Sequence, residues 1–176
     1  MPPAAIRLRE LIVRYTVAKN PHGLPVSIDR VLIADPRAAA AAFLPLFQDE
    51  PAEVFGLLCL SVKHRVIAYH EVGRGTVNGV TIQPREIFQV ALLANAAALI
   101  VGHNHPSGDP TPSPEDVAVT KRLFDAGGLM GIELLDHIIT GDGRYTSFRE
   151  SGRLRFDALV PAPYEAQPCR VGADGV

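Results

Sequence analysis

The sequence predicts an α/β fold in a single domain, and three observations support this prediction. The chain has 176 residues, of which 47% are hydrophobic, and this suits one domain with a substantial core. Segments with the apolar spacing of strands alternate with segments that have the spacing of helices. The apolar run at residues 96–101 has the length of a buried strand and lies between two such helical segments. Alternation of this kind is typical of an α/β domain.

Turn-forming residues divide the first half of the chain into short elements. The stretch from Asn20 to Pro25 has the composition of a loop. Pro45 is expected to end or kink the helix in which it lies. The predicted elements are an amphipathic helix at 4–18, a strand at 30–34, a helix at 36–47, and hairpin strands at 54–62 and 66–72.

The second half of the chain continues the alternation. Pro84 begins a helix that is expected to run to about Ala96, and the buried strand follows it. Gly127 and Gly128 are expected to end the next helix. The other predicted elements are a glycine-interrupted strand or loop at 76–82, a helix at 114–126, and closing strands at 131–140 and 145–148.

These elements place the domain boundaries near the two ends of the chain. Residues 1–25 are interpreted as an N-terminal helix and loop, and residues 26–156 as the folded domain. Residues 157–176 contain several Pro, Ala and Gly residues, and we expect this tail to be disordered. Cys59 falls in a predicted strand and Cys169 in the tail, so neither a disulfide framework nor a Cys-rich zinc site is indicated.

One short motif carries most of the functional information. His103-Asn104-His105 is followed after seven residues by Ser113, and two further residues separate Ser113 from Asp116. Alternate residues of an extended chain point to the same side, so the two imidazoles can face one point. Ser113 and the acid three residues later predict a helix start, which can bring a carboxylate to that point.

Two imidazoles and one carboxylate leave the fourth corner of a Zn²⁺ tetrahedron open, which is typical of a catalytic site. We therefore predict about one zinc ion per chain, bound by His103, His105 and Asp116. Such a ligand set also suits Fe²⁺, Co²⁺ or Mn²⁺.

Each part of this motif also has a simpler explanation. Ser113 and Asp116 can form an ordinary capping box, and an isolated H-x-H pair is more often a feature of a surface loop. The combination is less expected by chance, because the cap falls at one specific spacing from the pair. The string His-Asn-His does not indicate an HNH nuclease, whose named residues are dispersed along a ββα unit.

The pattern H-x-H-x7-S-x2-D resembles the signature of the JAB/MPN (JAMM) metalloprotease domain. The string at 103–109 is similar to the RadC branch of that superfamily, as are Pro-Arg-Glu-Ile-Phe at 84–88 and Asp-His-Ile-Ile at 136–139. The resemblance covers about residues 25–155. It implies a mixed β-sheet flanked by helices, with a cytidine deaminase-like architecture, and the activity of a zinc metalloprotease.

The resemblance also implies roles for individual residues. In JAMM enzymes two histidines and an aspartate bind zinc, a serine helps to stabilise the oxyanion, and an upstream glutamate is the general base. Carried over by position, His103, His105 and Asp116 are the ligands and Ser113 is the oxyanion donor. Glu53 opens the segment Glu-Val-Phe-Gly-Leu-Leu, which resembles the E-x-x-G-x-L pattern that carries the catalytic glutamate.

Three other upstream acids are alternatives to Glu53 as the base. Glu50 precedes a proline in what we expect to be a linker, and Glu71 lies where a strand leaves the core. Glu86 begins an amphipathic helix, where an acid favours the helix dipole. The simpler explanation of Glu53 is an exposed acid at a strand start, but its sequence context makes it the favoured base.

Several weaker candidates surround the motif. His137 is predicted to be a core histidine, and Asp136 beside it is a candidate to orient a ligand imidazole. Ser107 and Asp109 match the RadC string and could shape the cleft, although their loop also has ordinary turn chemistry. Asn104 is expected to point away from the metal.

Composition separates the possible classes of function. The formal net charge is −2 and the chain has only three lysines, which does not favour a non-specific binder of duplex DNA. No uninterrupted apolar run approaches about 18 residues, so no membrane span is expected. The first residues lack the apolar core of a signal peptide, and we expect a cytoplasmic protein.

Three hypotheses of function follow. The favoured one is a zinc-dependent peptidase or isopeptidase that acts on a polypeptide or isopeptide-linked substrate. The second is a DNA-associated RadC-type protein, either a repair accessory or a metal-dependent nuclease. Longer RadC relatives carry a helix-hairpin-helix region before this domain, and only about 25 residues precede it here, so nucleic acid is the less favoured partner. The third is a non-catalytic MPN scaffold. The oligomeric state is not indicated.

Overall fold

The computed structural model describes residues 14–75 and 82–153, which form a five-stranded sheet with helices on both faces. The helices are α1 (Pro36–Phe47), α2 (Pro84–Leu93) and α3 (Pro114–Met130). The strands are β1 (Glu53–Leu60), β2 (Val66–Gly75), β3 (Ala98–Asn104), β4 (Glu133–Gly141) and β5 (Arg144–Ser147).

The sheet is mixed, with the strand order β2-β1-β3-β4-β5. Strands β3 and β4 are parallel and are connected through α3, whereas the other neighbouring pairs are antiparallel. A parallel pair needs a crossover of this kind, because a tight turn can join only antiparallel strands. The prediction of an α/β domain with a mixed sheet flanked by helices is confirmed.

Each face of the sheet has its own apolar core. Leu58 and Leu60 of β1 pack with α1, whereas Leu57 and Cys59 of the same strand pack with α2 and α3. All four side chains are fully buried, and full burial of a leucine contributes roughly 1.5–3 kcal/mol. Alternate residues of the central strands therefore belong to different layers of the domain.

Helix α1 has the bounds that the sequence predicts. Asp35 caps it by accepting a hydrogen bond of 2.7 Å from the backbone N–H of Ala38, and Pro36 occupies the first helical position. Pro45 lies in the last turn, where it removes the hydrogen bond to the carbonyl four residues earlier, and Gln48 is already extended. The helix accordingly ends at Phe47.

Helix α3 is longer than predicted, and the expected end at Gly127-Gly128 is wrong. The helix continues to Met130 and closes at Gly131, whose φ of 66° lies in the left-handed region. A β-carbon at Gly127 would lie 2.6 Å from the carbonyl oxygen of Ile132. Glycine at this position allows the helix to pack directly against the chain that follows it.

Residues 30–34 do not form the predicted strand. The segment makes an isolated bridge between Leu32 and Arg65, and Arg30 has a φ of 60°. A left-handed residue cannot continue extended pairing. A turn at residues 29–30 is therefore followed by an irregular segment that bonds to the hairpin of β1 and β2 at residues 64–66.

Other boundaries differ by a few residues. The β1–β2 hairpin is confirmed, and β2 is longer than predicted because it continues to Gly75. Strand β3 includes His103. Helix α2 ends at Leu93 instead of about Ala96, because Asn95 has a left-handed φ of 53°.

The N-terminal prediction is only partly covered by the described residues. Residues 14–18, the end of the helix predicted at 4–18, are not helical, and the remainder of that prediction lies outside the described residues. The loop that follows is confirmed and is closed by a bridge between Lys19 and Pro25.

The tail at 157–176 and most of the glycine-interrupted segment, 76–81, also lie outside the described residues. Among the helices of the described parts of the chain, none has both the length and the apolar character needed to cross a membrane.

Candidate metal centre

The carboxyl end of β3 and the first turn of α3 bring three candidate ligands together. Nε2 of His103 lies 3.1 Å from Nε2 of His105 and 3.2 Å from Oδ1 of Asp116. Nε2 of His105 lies 3.6 Å from Oδ2 of Asp116. The side chain of His103 is fully buried, and those of His105 and Asp116 are only 18% and 11% exposed. These three side chains could hold a metal ion.

Local structure explains why these residues meet. His103 belongs to β3, and the backbone N–H of His105 donates to the carbonyl of Thr140 over 2.8 Å, which continues the pairing with β4. The two imidazoles therefore project from the same side of extended chain. Helix α3 begins at Pro114, so Asp116 lies in its first turn and faces the end of the strand.

Ser113 and Asp116 also form the capping box of α3. The hydroxyl of Ser113 donates to Oδ2 of Asp116 over 2.7 Å and accepts from the backbone N–H of Asp116 over 3.1 Å. The backbone N–H of Ser113 donates to the same Oδ2 over 2.7 Å. Oδ1 remains directed at His103, so the cap and the ligand interpretations are compatible.

The donor atoms of this cluster fit a cation. Nδ1 of His105 donates to the carbonyl of Asp109 over 2.7 Å, and since a carbonyl only accepts, Nε2 of a neutral His105 carries a lone pair. The hydrogen bond with Asp116 raises the pKa of His105. Burial acts to raise the pKa of Asp116, but hydrogen bonds with His103 and His105 hold it well below its usual range. Lone pairs and a carboxylate that face one another stabilise positive charge at this point.

Glu53 lies opposite the histidines across the β1–β3 pairing. Phe55 of β1 pairs with His103 of β3, and the two strands are antiparallel. Two residues before Phe55 is Glu53, and two residues after His103 is His105, so both lie on the same face as that pair. Glu53 is half-buried. The hydrogen bond with Asp116 is the main cause of the raised pKa of His105, and the charge of Glu53 adds to it. The charge of Glu53 therefore acts on a candidate ligand, His105.

The other three upstream acids have partners elsewhere. Glu50 forms an ion pair of 2.5 Å with Arg74, and the same guanidinium binds Glu71 through two hydrogen bonds. Glu86 accepts from the backbone N–H of Gln83 in the capping box of α2. These contacts leave Glu53 as the upstream acid whose position suits the cluster.

A family model described as a RadC-like JAB domain matches residues 33–153. The chain belongs to this family. The resemblance seen in the sequence is confirmed, and the matched region includes every candidate residue of the site.

Several relatives are similar to about 70% of the length of this RadC-like JAB domain chain. A UPF0758 protein of Xanthomonas axonopodis pv. citri is 51% identical over 122 residues, which are 69% of this chain and 54% of that protein. UPF0758 proteins of Desulforamulus reducens and Moorella thermoacetica are 45% and 44% identical, over 70% and 73% of this chain and 54% and 56% of their own lengths. The chain spans about half the length of these curated relatives.

Asn104 of the RadC-like JAB domain holds the start of β1. Its side chain points away from the ligands, as the sequence predicted, and it is buried. Oδ1 accepts from the N–H of Val54 over 2.8 Å, and Nδ2 donates to the carbonyls of Ala52 and Glu50 over 2.9 and 3.3 Å. The amide therefore fixes the backbone on both sides of Glu53. These partners could not be predicted from the sequence, although the alternation of strand residues indicated the direction of the side chain.

His137 is fully buried, as predicted for a core histidine, but it also contacts a candidate ligand. Its Nε2 lies 2.9 Å from Nδ1 of His103, and its Nδ1 lies 2.6 Å from the hydroxyl of Thr120. Desolvation lowers the pKa of His137 well below its usual value. Sequence reasoning missed Thr120, whose only signal was its position one turn after Asp116 in the same helix.

Asp136 does not orient a ligand imidazole, so that interpretation is wrong. Its carboxylate accepts from the hydroxyl of Ser147 over 2.6 Å and from the backbone N–H groups of His137 and Arg149 over 2.7 and 3.0 Å. Burial raises its pKa. Adjacent strand residues face opposite sides, so Asp136 lies on the α1 side when His137 lies on the ligand side.

The loop between the ligands shapes one wall of the site. The backbone carbonyl of Asp109 accepts from His105, while its carboxylate binds the N–H and hydroxyl of Thr111. A cleft of about 500 Å³ adjoins His105 on the α1 side, with Phe47 and Asp142 among its lining residues. Of the three candidate ligands, His105 is the one that lines this cleft, and its side chain is 18% exposed.

Proposed function

We propose that this domain is a zinc-dependent hydrolase of amide bonds, either a peptidase or an isopeptidase. The observation that carries the proposal is the convergence of the side chains of His103, His105 and Asp116 on one point. Glu53 lies two residues before Phe55, the residue of β1 that pairs with His103. A site with three protein ligands and an accessible open side is typical of catalytic zinc. Because the chain spans about half of its curated relatives, the proposal concerns this domain.

The residues present suit the chemistry of hydrolysis. A zinc ion held by the two imidazoles and Asp116 would supply Lewis acidity, which lowers the pKa of water towards ~7 and polarises a carbonyl. Glu53 would take a proton from the attacking water as the water oxygen bonds to the carbonyl carbon. The same carboxyl would then give that proton to the amine as the C–N bond breaks. The proton count balances without a covalent enzyme intermediate.

Ser113 would meet the negative charge that develops on the carbonyl oxygen. Its hydroxyl lies at the positive end of α3 and donates a hydrogen bond to Asp116. During the reaction the hydroxyl would rotate away from this carboxylate and donate to the oxyanion. One such donor can contribute about 3 kcal/mol to the transition state.

The charges around the cluster favour an amide substrate over a phosphodiester. Glu53 lies beside the ligands, and Asp142 lines the adjoining cleft. Carboxylates at these positions repel a nucleic acid backbone, which carries one negative charge per phosphate. We therefore keep a polypeptide as the proposed partner and a DNA-associated role as the alternative.

The test combines metal analysis with a substrate screen. Zinc-loaded protein is incubated with peptides and with lysine isopeptides, and the products are identified by mass spectrometry. We expect Glu53→Gln to retain zinc but to lose hydrolysis at least about 100-fold, because it removes the base. Asp116→Ala is expected to lose both zinc and activity.

Glu71→Gln is the matched control, since Glu71 is also an upstream acid but is bound to Arg74. It should keep both zinc and activity. Full activity of Glu53→Gln would refute the assignment of the base. Cleavage of DNA without cleavage of any peptide would favour the alternative function.

A further inference from the structure

Three buried groups form a continuous line of hydrogen bonds behind His103. Nδ1 of His103 lies 2.9 Å from Nε2 of His137, and Nδ1 of His137 lies 2.6 Å from the hydroxyl of Thr120. That hydroxyl in turn lies 2.5 Å from the backbone carbonyl of Asp116. The line therefore begins at one candidate ligand and ends at the backbone of another.

The final acceptor decides the direction of every bond in this line. A carbonyl oxygen only accepts, so the Thr120 hydroxyl donates its single proton to Asp116. The Thr120 oxygen must then accept a proton from Nδ1 of His137. His137 is fully buried, and its ring nitrogens contact an uncharged hydroxyl and another imidazole, so the ring is neutral. A proton on Nδ1 then leaves Nε2 as an acceptor. Nδ1 of His103 must consequently be the donor to His137.

This direction determines which nitrogen of a neutral His103 is free. With its proton on Nδ1, Nε2 carries a lone pair, and Nε2 is the atom that faces His105 and Asp116. The opposite tautomer would place an N–H in the cluster and leave Nδ1 and the Nε2 of His137 as two acceptors in contact. His105 has the same tautomer, with its proton on Nδ1, because this nitrogen donates directly to the carbonyl of Asp109.

We propose that Thr120 and His137 are positioning residues that fix the tautomer and ring orientation of His103, so that its Nε2 is presented to the metal. The proposal rests on the metal site of the proposed function but not on hydrolysis. A ligand histidine usually needs a partner for its second nitrogen, and loss of such a partner typically lowers metal affinity by 10–100-fold. Here the partner is a neutral imidazole, and its own orientation depends on a threonine hydroxyl.

The packing around His137 supports a fixed ring. The ring of Phe148 stacks on His137 at 4.9 Å between centroids, and the ring of Phe55 meets it edge-on at 5.5 Å. Both phenylalanines are buried. An imidazole held in this way cannot turn to another partner without displacing its neighbours, so the hydroxyl of Thr120 is the group that selects its tautomer.

Two substitutions at Thr120 separate hydrogen bonding from packing. Thr120→Val keeps the volume and removes the hydroxyl, whereas Thr120→Ser keeps the hydroxyl and removes a methyl group. If the residue only filled space, serine would be the more harmful change. If it acts through its hydroxyl, valine is the more harmful change, and serine keeps the tautomer of His137 and the zinc affinity of the wild type.

The experiment has two readouts, neither of which is catalytic activity. Nitrogen-15 NMR of the imidazole rings reports the protonated nitrogen of His137, and competition with a chromophoric chelator reports zinc affinity. We expect His137 to carry its proton on Nδ1 in the wild type and in Thr120→Ser, and to lose this single tautomer in Thr120→Val. Zinc affinity should fall 10–100-fold in Thr120→Val and by less than about threefold in Thr120→Ser.

The two proposals fail in different ways. A His137 protonated on Nε2 in the wild type, or equal zinc affinities of wild type and Thr120→Val, would overturn the positioning role. A wild-type protein that binds zinc without hydrolysing any amide would overturn the proposed function and leave the positioning role intact. Circular dichroism of both variants confirms that the comparison is made between folded proteins.

Discussion

The two faces of the sheet use polar side chains differently where β3 and β4 approach the ligand cluster. On the α1 side, Asn104 and Asp136 direct their side chains to backbone N–H, carbonyl and hydroxyl groups. On the side of α3, the second nitrogens of His103 and His105 are hydrogen-bonded, but their Nε2 atoms face each other and Asp116. The polar side chains on the α1 side are satisfied by hydrogen bonds within the fold. Those on the α3 side direct two imidazole nitrogens and a carboxylate to one common point.

This difference separates groups that stabilise the fold from groups that are available to bind. A buried polar group is ordinarily hydrogen-bonded, because an unsatisfied one costs about 1–3 kcal/mol. Two imidazole nitrogens and a carboxylate that converge on one point, where a cation can replace the shared protons, are therefore informative in a way that a buried asparagine with three partners is not. Substitutions on the two faces should have different consequences.

The largest expected effect is loss of metal after substitution on the ligand face. Wild-type protein purified without a chelator or a His-tag should contain about one zinc per chain, whereas the double variant His103→Ala/His105→Ala should contain almost none. Elemental analysis measures the difference. If both proteins lack metal even after zinc is offered, the polar groups on the α3 side are not a metal site. The hypothesis of a non-catalytic scaffold then becomes the favoured one.

The next effect is loss of stability after substitution on the α1 face. Asn104→Ala leaves the N–H of Val54 and the carbonyls of Ala52 and Glu50 without their partner. We expect the free energy of unfolding to fall by about 3 kcal/mol, measured by urea denaturation of metal-free protein. Val62→Ala is the control, because Val62 is 82% exposed and should change little.

The same variant also tests whether the faces are separable. Asn104→Ala should still bind about one zinc per chain, because the amide contacts none of the ligand side chains. Loss of zinc from a folded Asn104→Ala protein would show that the α1 face contributes to binding after all.

The smallest expected effect is a change in the pH dependence of stability at Asp136. Burial raises its pKa, so the native state binds this proton more tightly than the unfolded chain. The stabilising contribution of the protonated form is fully present below the unfolded pKa of about 4 and is lost as the pH rises through the native pKa. Asparagine at this position cannot titrate.

We therefore expect Asp136→Asn to lower the free energy of unfolding, relative to the wild type, by more at pH 4.5 than at pH 7. Urea denaturation at a series of pH values measures this difference. A cost that is the same at every pH would contradict the raised pKa. The hydrogen bond from Ser147, those from the backbone N–H groups of Arg149 and His137, and the charge of Arg149 all lower the pKa of Asp136 and oppose burial, which keeps the expected change small.

Local patterns in the sequence predicted the elements and the ligand cluster. His103, His105 and Asp116 lie within one strand, loop and helix start, and the spacing of residue types was enough to bring them together. The hairpin, α1 and the buried strand were predicted for the same reason. Each depends on turn residues, caps and apolar periodicity over a short stretch of chain.

The remaining features depend on contacts that are distant in the sequence. Asn104 contacts the N–H of a residue 50 positions earlier, so its role follows from the pairing of β1 with β3. Thr120 and His137 are 17 positions apart and meet because α3 packs on the strand that follows it. The end of α3 was missed for a local reason: Gly131, with its left-handed φ of 66°, closes the helix, and its N–H and that of Ile132 both donate to the carbonyl of Gly127.

The alternation of His103 and Asn104 also limits how the length of this gene segment can change during evolution. Insertion or deletion of one residue within β3 would exchange the two faces, so that the amide would enter the ligand cluster and the imidazole would enter the α1 layer. A change of two residues would restore the faces but move the imidazole by about 7 Å along the strand. Length changes that preserve the domain must therefore fall in its loops, while β3 keeps its number of residues.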